Sequence, residues 1–255
     1  MLFRSVCNIY TDVDGVYTTD PRIESKARRL SKISYEEMLE MASLGAKVLQ
    51  TRSVEMAMAN QVRVKVLSSF VEPGDPPGEG TIVCDEDEIM EKRIVSGVAF
   101  SRDEAKISLF GLPDHPGVSS AIFGRLADAN VNVDMIVQSH ARSEGAANME
   151  FTVGNRDADR TMEIMKAAQA DIGFEDIAVD ENVAKVSVIG VGMRSHAGVA
   201  QTMFKALADR QVNIQVISTS EIKISVLIDE AYTELAVRAL HAAYGLDKIG
   251  AEPTA

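Results

Sequence analysis

Ala105-Lys106-Ile107-Ser108-Leu109-Phe110-Gly111 recurs as Ala184-Lys185-Val186-Ser187-Val188-Ile189-Gly190, and reading this pair decides the fold. The correspondence runs on in the same order. Gly117-Val118 answers Gly198-Val199, Leu126-Ala127-Asp128 answers Leu207-Ala208-Asp209, and Val131-Asn132-Val133 answers Val212-Asn213-Ile214. A period of roughly 80 residues is too long for a solenoid repeat and fits a duplicated small domain.

Within each copy the apolar period changes in a fixed sequence. Residues 107–111 form a short apolar run closing on glycine, and residues 117–129 carry Val118, Ile122 and Leu126 at helical spacing. Residues 131–137 are β-branched and half alternating, 149–153 read as a further strand, and 159–170 place Met162, Met165 and Ala168 on one helix face. The counterparts of these last two are 222–228 and 231–243. Each copy is expected to open with one more strand, 98–100 or 178–180, turning as a hairpin into the Ala-Lys-Ile/Val-Ser strand. Helices on one face of a mainly antiparallel sheet give an α+β sandwich, the ferredoxin-like βαββαβ arrangement.

The motifs themselves carry a family resemblance. Gly111-Leu112-Pro113-Asp114-His115-Pro116-Gly117-Val118, followed by Asn130-Val131-Asn132-Val133-Asp134-Met135-Ile136-Val137-Gln138, resembles the first of the paired ACT domains of aspartate kinases. Gly192-Met193-Arg194-Ser195-His196-Ala197-Gly198, with Ile217-Ser218-Thr219-Ser220-Glu221-Ile222-Lys223-Ile224-Ser225, resembles the second. Upstream, Thr11-Asp12-Val13-Asp14-Gly15-Val16-Tyr17-Thr18-Thr19-Asp20-Pro21-Arg22 and residues 41–49 resemble the nucleotide-side end of the kinase domain. The fold expected is therefore α+β, with tandem ferredoxin-like ACT domains preceded by a partial α/β amino-acid-kinase domain. The expected division is 1–71 for the kinase portion, 72–93 for a linker, 94–172 for the first ACT domain and 173–250 for the second.

The resemblance implies phosphorylation of L-aspartate by ATP with Mg2+ in the complete enzyme, at the first step of lysine, threonine and methionine biosynthesis. It implies ATP contacts at Thr11, Asp12, Tyr17, Arg22 and Lys47. The chemistry suits them: guanidinium and ammonium groups neutralise phosphate oxygens, a carboxylate accepts hydrogen bonds, and Gly15 permits a sharp turn. Without the family match, Asp14-Gly15 would read as a turn. The family's Lys-Phe-Gly-Gly phosphate cradle and its aspartate-binding residues do not occur here, so the chain is expected not to transfer phosphate by itself. It resembles a C-terminal part, either a fragment or a regulatory chain that pairs with a full-length kinase.

Each copy has a loop running into a helix at Gly117 or Gly198, where unpaired N–H groups and the positive helix end suit an amino-acid carboxylate. By resemblance, threonine lies near Asp114, Gly117, Ser119, Gln138, Asn213 and Ile214, and lysine near Asp134, Ser220 and Glu221. Taken singly, these glycines, asparagines and aspartates are ordinary turn and cap residues; their recurrence at matching places favours function. His115 and His196 recur without a second ligand at metal spacing and read as structural. Two departures separate the copies: Ala197 stands where Pro116 fixes the first loop, and residues 139–148 have no equivalent length in the second copy.

Composition bounds the remainder. The 255 residues are 46% hydrophobic and 25% charged, enough for two or three cores. A net charge of −12 disfavours nucleic acid and acidic membranes as partners. Asp85-Glu86-Asp87-Glu88 reads as a solvated run, and Met38, Met41, Met56 and Met58 as adaptable core. Cys7 and Cys84 are too isolated for a disulfide framework or a zinc site; with no signal peptide or long apolar segment, the cytoplasm is expected. Three of the seven prolines lie within residues 72–80, a break expected to relay effector binding to the nucleotide side. Ser34 and Glu37 form a capping box for a helix over 35–42, and Val62, Val64 and Val66 alternate as a strand. The ACT pair is expected to form a homodimer, or to join a full-length chain, through exposed sheet edges near 214–217. The alternatives are a free-standing amino-acid-binding ACT module without a kinase role and a complete kinase of reduced size.

Overall fold

The computed structural model describes residues 6–46, 48–70, 78–89, 93–141 and 145–248. Lys47 and most of the Pro/Gly-rich segment lie outside the described residues. The N-terminal unit comprises β1 (Val6–Thr11), β2 (Lys32–Ser34), α1 (Tyr35–Ser43), α2 (Thr51–Ala59), β3 (Arg63–Ser68) and β4 (Thr81–Cys84). Its sheet runs β1-β3-β4-β2, with β1–β3 and β2–β4 parallel and β3–β4 antiparallel. The capping box forms as expected: Ser34 Oγ accepts from the Glu37 N–H and Glu37 Oε2 accepts from the Ser34 N–H. It starts α1 so that Tyr35, Met38 and Met41 face the core. Met56 and Met58 depart from expectation. Their positions on α2 face outward, 62% and 38% exposed, while Val54 and Ala57 supply the buried face.

The duplicated part continues with β5 (Gly97–Ser101), β6 (Ala105–Pro113), α3 (Val118–Asp128), β7 (Val133–His140), β8 (Ala146–Val153), α4 (Ala158–Ile172) and β9 (Asp176–Asp180). It ends with β10 (Val183–Ile189), α5 (Val199–Ala208), β11 (Val216–Thr219), β12 (Lys223–Asp229) and α6 (Thr233–Ala243). Both sheets have ferredoxin-like order, β7-β8-β6-β9 in module 1 and β11-β12-β10-β5 in module 2. Module 1 is thus continuous in sequence, whereas module 2 takes its outer strand from before module 1.

The expected opening hairpins do not form. Strand β5 pairs with β10, Val98 opposite Val188, and β9 pairs with β6, Val179 opposite Ile107. Burial explains the exchange. Val98 is 1% exposed in the module 2 core and Ala99 is 4% exposed in the N-terminal core, so β5 needs cover on both faces. Strand β9 carries Asp176 and Asp180 at its ends and is mostly exposed, which suits a sheet edge open to water. Sheet membership therefore crosses the division expected at 172/173: β5 belongs with the second module and β9 with the first.

Each module buries its own core. Phe151, Ile122, Leu126 and Met165 centre the first, and Val186, Met203, Val226 and Leu240 the second. Met135, Val183, Val216 and Leu227 form a small apolar seam between them. Met135 reaches it from an irregularity in the β7–β8 register, at a φ of 47°. On the other side of module 2, Ile189 and Ala99 enter the core of the N-terminal unit. Among the described residues no helix is long and apolar enough to cross a membrane.

Candidate functional site

Thr11 and Asp12 lie where β1 ends, the Thr11 hydroxyl donating to the Asp12 carboxylate over 3.0 Å. The chain then turns at Gly15, where an added Cβ would lie 2.6 Å from Thr81 Oγ1. A cavity of about 520 Å³ opens there, lined by Asp14, Tyr17, Arg28, Arg29, Ser31 and Glu79. The Tyr17 hydroxyl donates to Asp14 at 2.8 Å, and burial together with that carboxylate pushes the phenol pKa up. Arg29 spans Asp14 at 3.1 Å and Glu79 at 3.3 Å. Arg28 Nη1 is buried without a partner among the described residues. A buried guanidinium N–H left unpaired beside a cavity fits an anionic ligand such as a phosphate.

Of the residues expected to bind ATP, Tyr17 lines this cavity, whereas Thr11, Asp12 and Arg22 do not. Arg22 is 89% exposed at the tip of a turn, where Asp20 takes its backbone N–H at 2.9 Å and its guanidinium at 2.7 Å. The hydrogen bond to Asp20, and more distantly the charge of Asp12, hold Arg22 still more firmly protonated. Sequence reasoning passed over Arg28, Arg29 and Glu79. The adjacent pair Arg28-Arg29 was the available signal, because two consecutive arginines short of the surface need carboxylates or a ligand.

In module 1, α3 starts at Gly117 with φ 104° and no side-chain cap, leaving first-turn N–H groups open. Module 2 repeats this at Gly198, φ 92°, before α5. An added Cβ at either glycine meets nothing within 4 Å, so backbone conformation alone requires glycine. Asp114 precedes the first opening and lies 3.4 Å from His140 Nδ1, which brings it to the end of β7 that carries Gln138. Ser119 and Gln138 are exposed on the same module. Asn213 is exposed before β11, and Ile214 packs on the module 2 core.

The residues expected to receive lysine are already engaged. Asp134 accepts from Lys185 Nζ at 2.8 Å and from the Met135 N–H at 2.8 Å. Burial works to raise the Asp134 pKa, but Lys185 more than offsets it, so the carboxyl lies below its usual range. Lys185 is 5% exposed and also contacts Glu104 at 2.5 Å; these two carboxylates overcome burial and raise its pKa. Glu221 lies 3.4 Å from Arg194, and Ser220 closes the β11–β12 turn by donating its N–H to Lys223 O. No hydrogen bond or ion pair among the described residues joins Asp134 to Ser220 or Glu221. The shorter β11–β12 connection confirms that the two copies differ after the third strand position.

The acidic run is not simply solvated. Glu88 pairs with Arg63, and Glu86 reaches Arg194 of module 2 at 3.1 Å. His196 closes its own loop on Gly192 O at 2.8 Å. Glu37 is 2% exposed; besides its capping role, its Oε1 accepts from Ser96 Oγ at 2.6 Å and the Val191 N–H at 3.0 Å. Lys223 adds an ion pair to Glu40 at 2.9 Å. The N-terminal unit and module 2 are thus joined by buried polar bonds as well as by a shared core.

A mixed α/β unit joined to two ferredoxin-like modules defines the class, and comparison with known proteins agrees. Residues 5–68 match the amino acid kinase family, and residues 107–169 and 186–244 each match an ACT domain. The aspartokinase of Pseudomonas aeruginosa is 57% identical over 243 residues, 94% of this chain and 58% of that protein. A solved structure of aspartokinase alpha and beta subunits is 50% identical over 59% of this chain and 99% of that one, with a TM-score of 0.56. Escherichia coli aspartokinase III, solved with aspartate and ADP, is 30% identical over 94% of this chain and 52% of that one, with a TM-score of 0.78. The same enzyme with lysine and aspartate gives 30%, 93%, 51% and a TM-score of 0.74. This chain belongs to the aspartate kinase family. It spans 58% of the length of the Pseudomonas aeruginosa protein it matches.

Proposed function

We propose that this chain is the regulatory, C-terminal portion of an aspartate kinase that phosphorylates L-aspartate with ATP at the first step of lysine, threonine and methionine biosynthesis. Its ACT pair binds threonine, lysine or both for feedback inhibition, in the cytoplasm. The observation that carries the effector reading is the uncapped start of α3 at Gly117, preceded by Asp114, whose contact to His140 puts it at the end of β7 that carries Gln138. The helix N–H groups suit the ligand carboxylate and the polar side chains its ammonium and hydroxyl. Asn213 and Ile214 would complete the site from a second module. For lysine, Asp134 and Glu221 already hold cations of this chain, so binding would exchange Lys185 or Arg194 for a ligand ammonium. Tyr17 and the unpaired Arg28 Nη1 support ATP at the N-terminal cavity; the family resemblance adds Thr11, Asp12, Arg22 and Lys47 to its contacts, with Mg2+ supplied in the complete enzyme.

The sheet edges support pairing with a second chain. Ile136 on β7 and Ile217 on β11 are 52% and 44% exposed on outer strands, which homodimerisation or a full-length kinase chain would cover. A strictly monomeric mass by light scattering at tens of micromolar, with and without lysine, would count against it. A free-standing ACT module accounts less well for the buried Glu37 bonds that tie the N-terminal unit to module 2.

Titration calorimetry with threonine and lysine, with and without a full-length kinase chain, tests the assignment. Gln138→Ala should weaken threonine by roughly 1–3 kcal/mol, because a ligand group loses its partner. Ser220→Phe should block lysine by filling the space beside the β11–β12 turn. If both variants bind both amino acids as the parent does, the site assignment is wrong while the family stands.

A further inference from the structure

The turn that carries Arg22 is gripped from both ends by module 2. At one end the Thr18 hydroxyl, fully buried, lies 2.9 Å from Nε2 of His241 on α6, itself 1% exposed. At the other, Arg238 of the same helix donates its Nε–H to Ile23 O over 2.8 Å. His241 and Arg238 are three residues apart, so one helix face presents both. Ile23 packs against the module 2 core, and the Thr18 carbonyl accepts the N–H of Val98 on β5 at 2.8 Å. The turn's other bonds are internal: the Thr18 N–H donates to Arg28 O, the Arg28 N–H donates back to the Thr18 hydroxyl, and Asp20 O accepts from the N–H groups of Ile23 and Glu24.

The Thr18 oxygen accepts the Arg28 N–H at 3.0 Å and keeps a second lone pair and its own proton for His241 Nε2. Nε2 accepts that proton when the imidazole is neutral with its own proton on Nδ1, and donates to the second lone pair in the other tautomer. Burial lowers the His241 pKa and so favours the neutral ring, against the charges of Glu24 and Asp247 and with that of Lys26. A helix of the regulatory module thereby fixes the two ends of a turn whose exposed tip carries Arg22.

We infer that α6 is a clamp on residues 18–23, in which His241 and Arg238 are positioning residues that set where the turn presents Arg22 to the nucleotide. This rests on the nucleotide reading proposed above. Displacement of module 2 by an effector would move the turn directly through α6, without the Pro/Gly-rich segment acting as the relay.

The test has two readouts. In this chain, amide hydrogen exchange is followed for the parent, His241→Ala, His241→Gln and Arg238→Ala. Arg238 is half exposed, so its variant keeps the fold even where His241→Ala does not. Both alanine variants should speed exchange at residues 19–24 by roughly three- to tenfold, the equivalent of one hydrogen bond, with β10 and β12 unchanged. Gln offers an amide oxygen to the Thr18 hydroxyl and should restore protection. In the full-length kinase, Arg238→Ala should raise the KM for ATP by roughly three- to tenfold, with kcat and the KM for aspartate within about twofold of the parent. Unchanged exchange at 19–24 in both alanine variants, or equal acceleration throughout module 2, overturns the clamp. Faster exchange with an unmoved KM for ATP upholds the clamp and overturns the nucleotide role of the turn.

Discussion

Replacing Lys185 by methionine isolates the charge that joins the two modules. The ammonium sits between Glu104, whose side chain is 9% exposed, and Asp134, whose side chain is 56% exposed. Without it Asp134 can hydrate, but Glu104 is left as a buried charge with no counter-ion. Breaking a buried pair from one side costs about 3–5 kcal/mol, and Glu104 should account for nearly all of that. Asp134→Asn keeps the Lys185–Glu104 pair and should cost about 1 kcal/mol or less, because the exposed partner was already screened. The double variant Lys185→Met, Glu104→Leu removes both buried charges and should return to within about 1 kcal/mol of the parent. The pH must be chosen with the shifts in mind. Lys185 has a raised pKa, so its contribution is present below about 10.4 and lost as pH rises through the folded value. Asp134 has a lowered pKa, so its contribution is present above about 3.9 and lost as pH falls through the folded value. Urea unfolding at pH 7, monitored by circular dichroism, therefore reads both in full. A loss below about 1 kcal/mol for Lys185→Met, or a double variant worse than the single, would refute the argument.

Glu37→Ala should destabilise by roughly 3–6 kcal/mol, since the N–H groups of Ser34 and Val191 and the Ser96 hydroxyl all lose their acceptor in buried surroundings. Glu37→Gln keeps one oxygen and should cost about 1–2 kcal/mol; similar unfolding midpoints for parent and alanine variant would sink this account. Gly117→Ala meets no steric obstacle and should cost only about 1–2 kcal/mol of left-handed backbone strain, with β8 and α4 exchange unchanged. His241 has a folded pKa below its ordinary 6.5, so the unfolded chain takes up its proton first and stability falls as pH drops below that value. The stability difference between parent and His241→Gln should therefore shrink from pH ~7.5 to pH ~5.5, and a flat difference would show that the imidazole is not held neutral.

The periodicities of the duplicated half located its strands and helices because each element has one buried face and repeats in a second copy. Strand partners were less legible. Residues 98–100 and 178–180 occupy equivalent positions before the same motif, and only burial separates them: Val98 and Ala99 are covered on opposite faces, while Val179 lies on an open edge. Partner choice of that kind depends on what packs outside the sheet, which local pattern does not encode. The candidate effector residues were found through motif, and the structure gathers Asp114 with the Gln138 end of β7. That Lys185 would sit on Asp134 was not visible, because a lysine inside an apolar strand reads as an outward residue until the opposing module is in place. The roles of Glu37 and His241 were hidden for the same reason: their partners are 154 and 223 residues away in sequence.

Interleaving the modules gives β5 an unusual duty. Its approach residue Ser96 donates to Glu37, Val98 donates to the carbonyl of Thr18, and Ser101 pairs with Lys185 at the module seam. The chain crosses from module 2 to module 1 within residues 102–104 and returns within 181–182, and Glu104 on the first crossing holds Lys185 just after the second. Both crossings lie at one end of the sheets, as Lys185 opposite Ser101 and Lys106 opposite Asp180 require. Rotation of module 1 about this end would load β5 through Glu104 and Lys185. The strand cannot yield independently, because its partner β10 is buried along its whole length. Motion would then reach Glu37 and the turn at Thr18 together. A five-residue strand thereby joins, by covalent and hydrogen bonds, the candidate effector module to the candidate nucleotide turn.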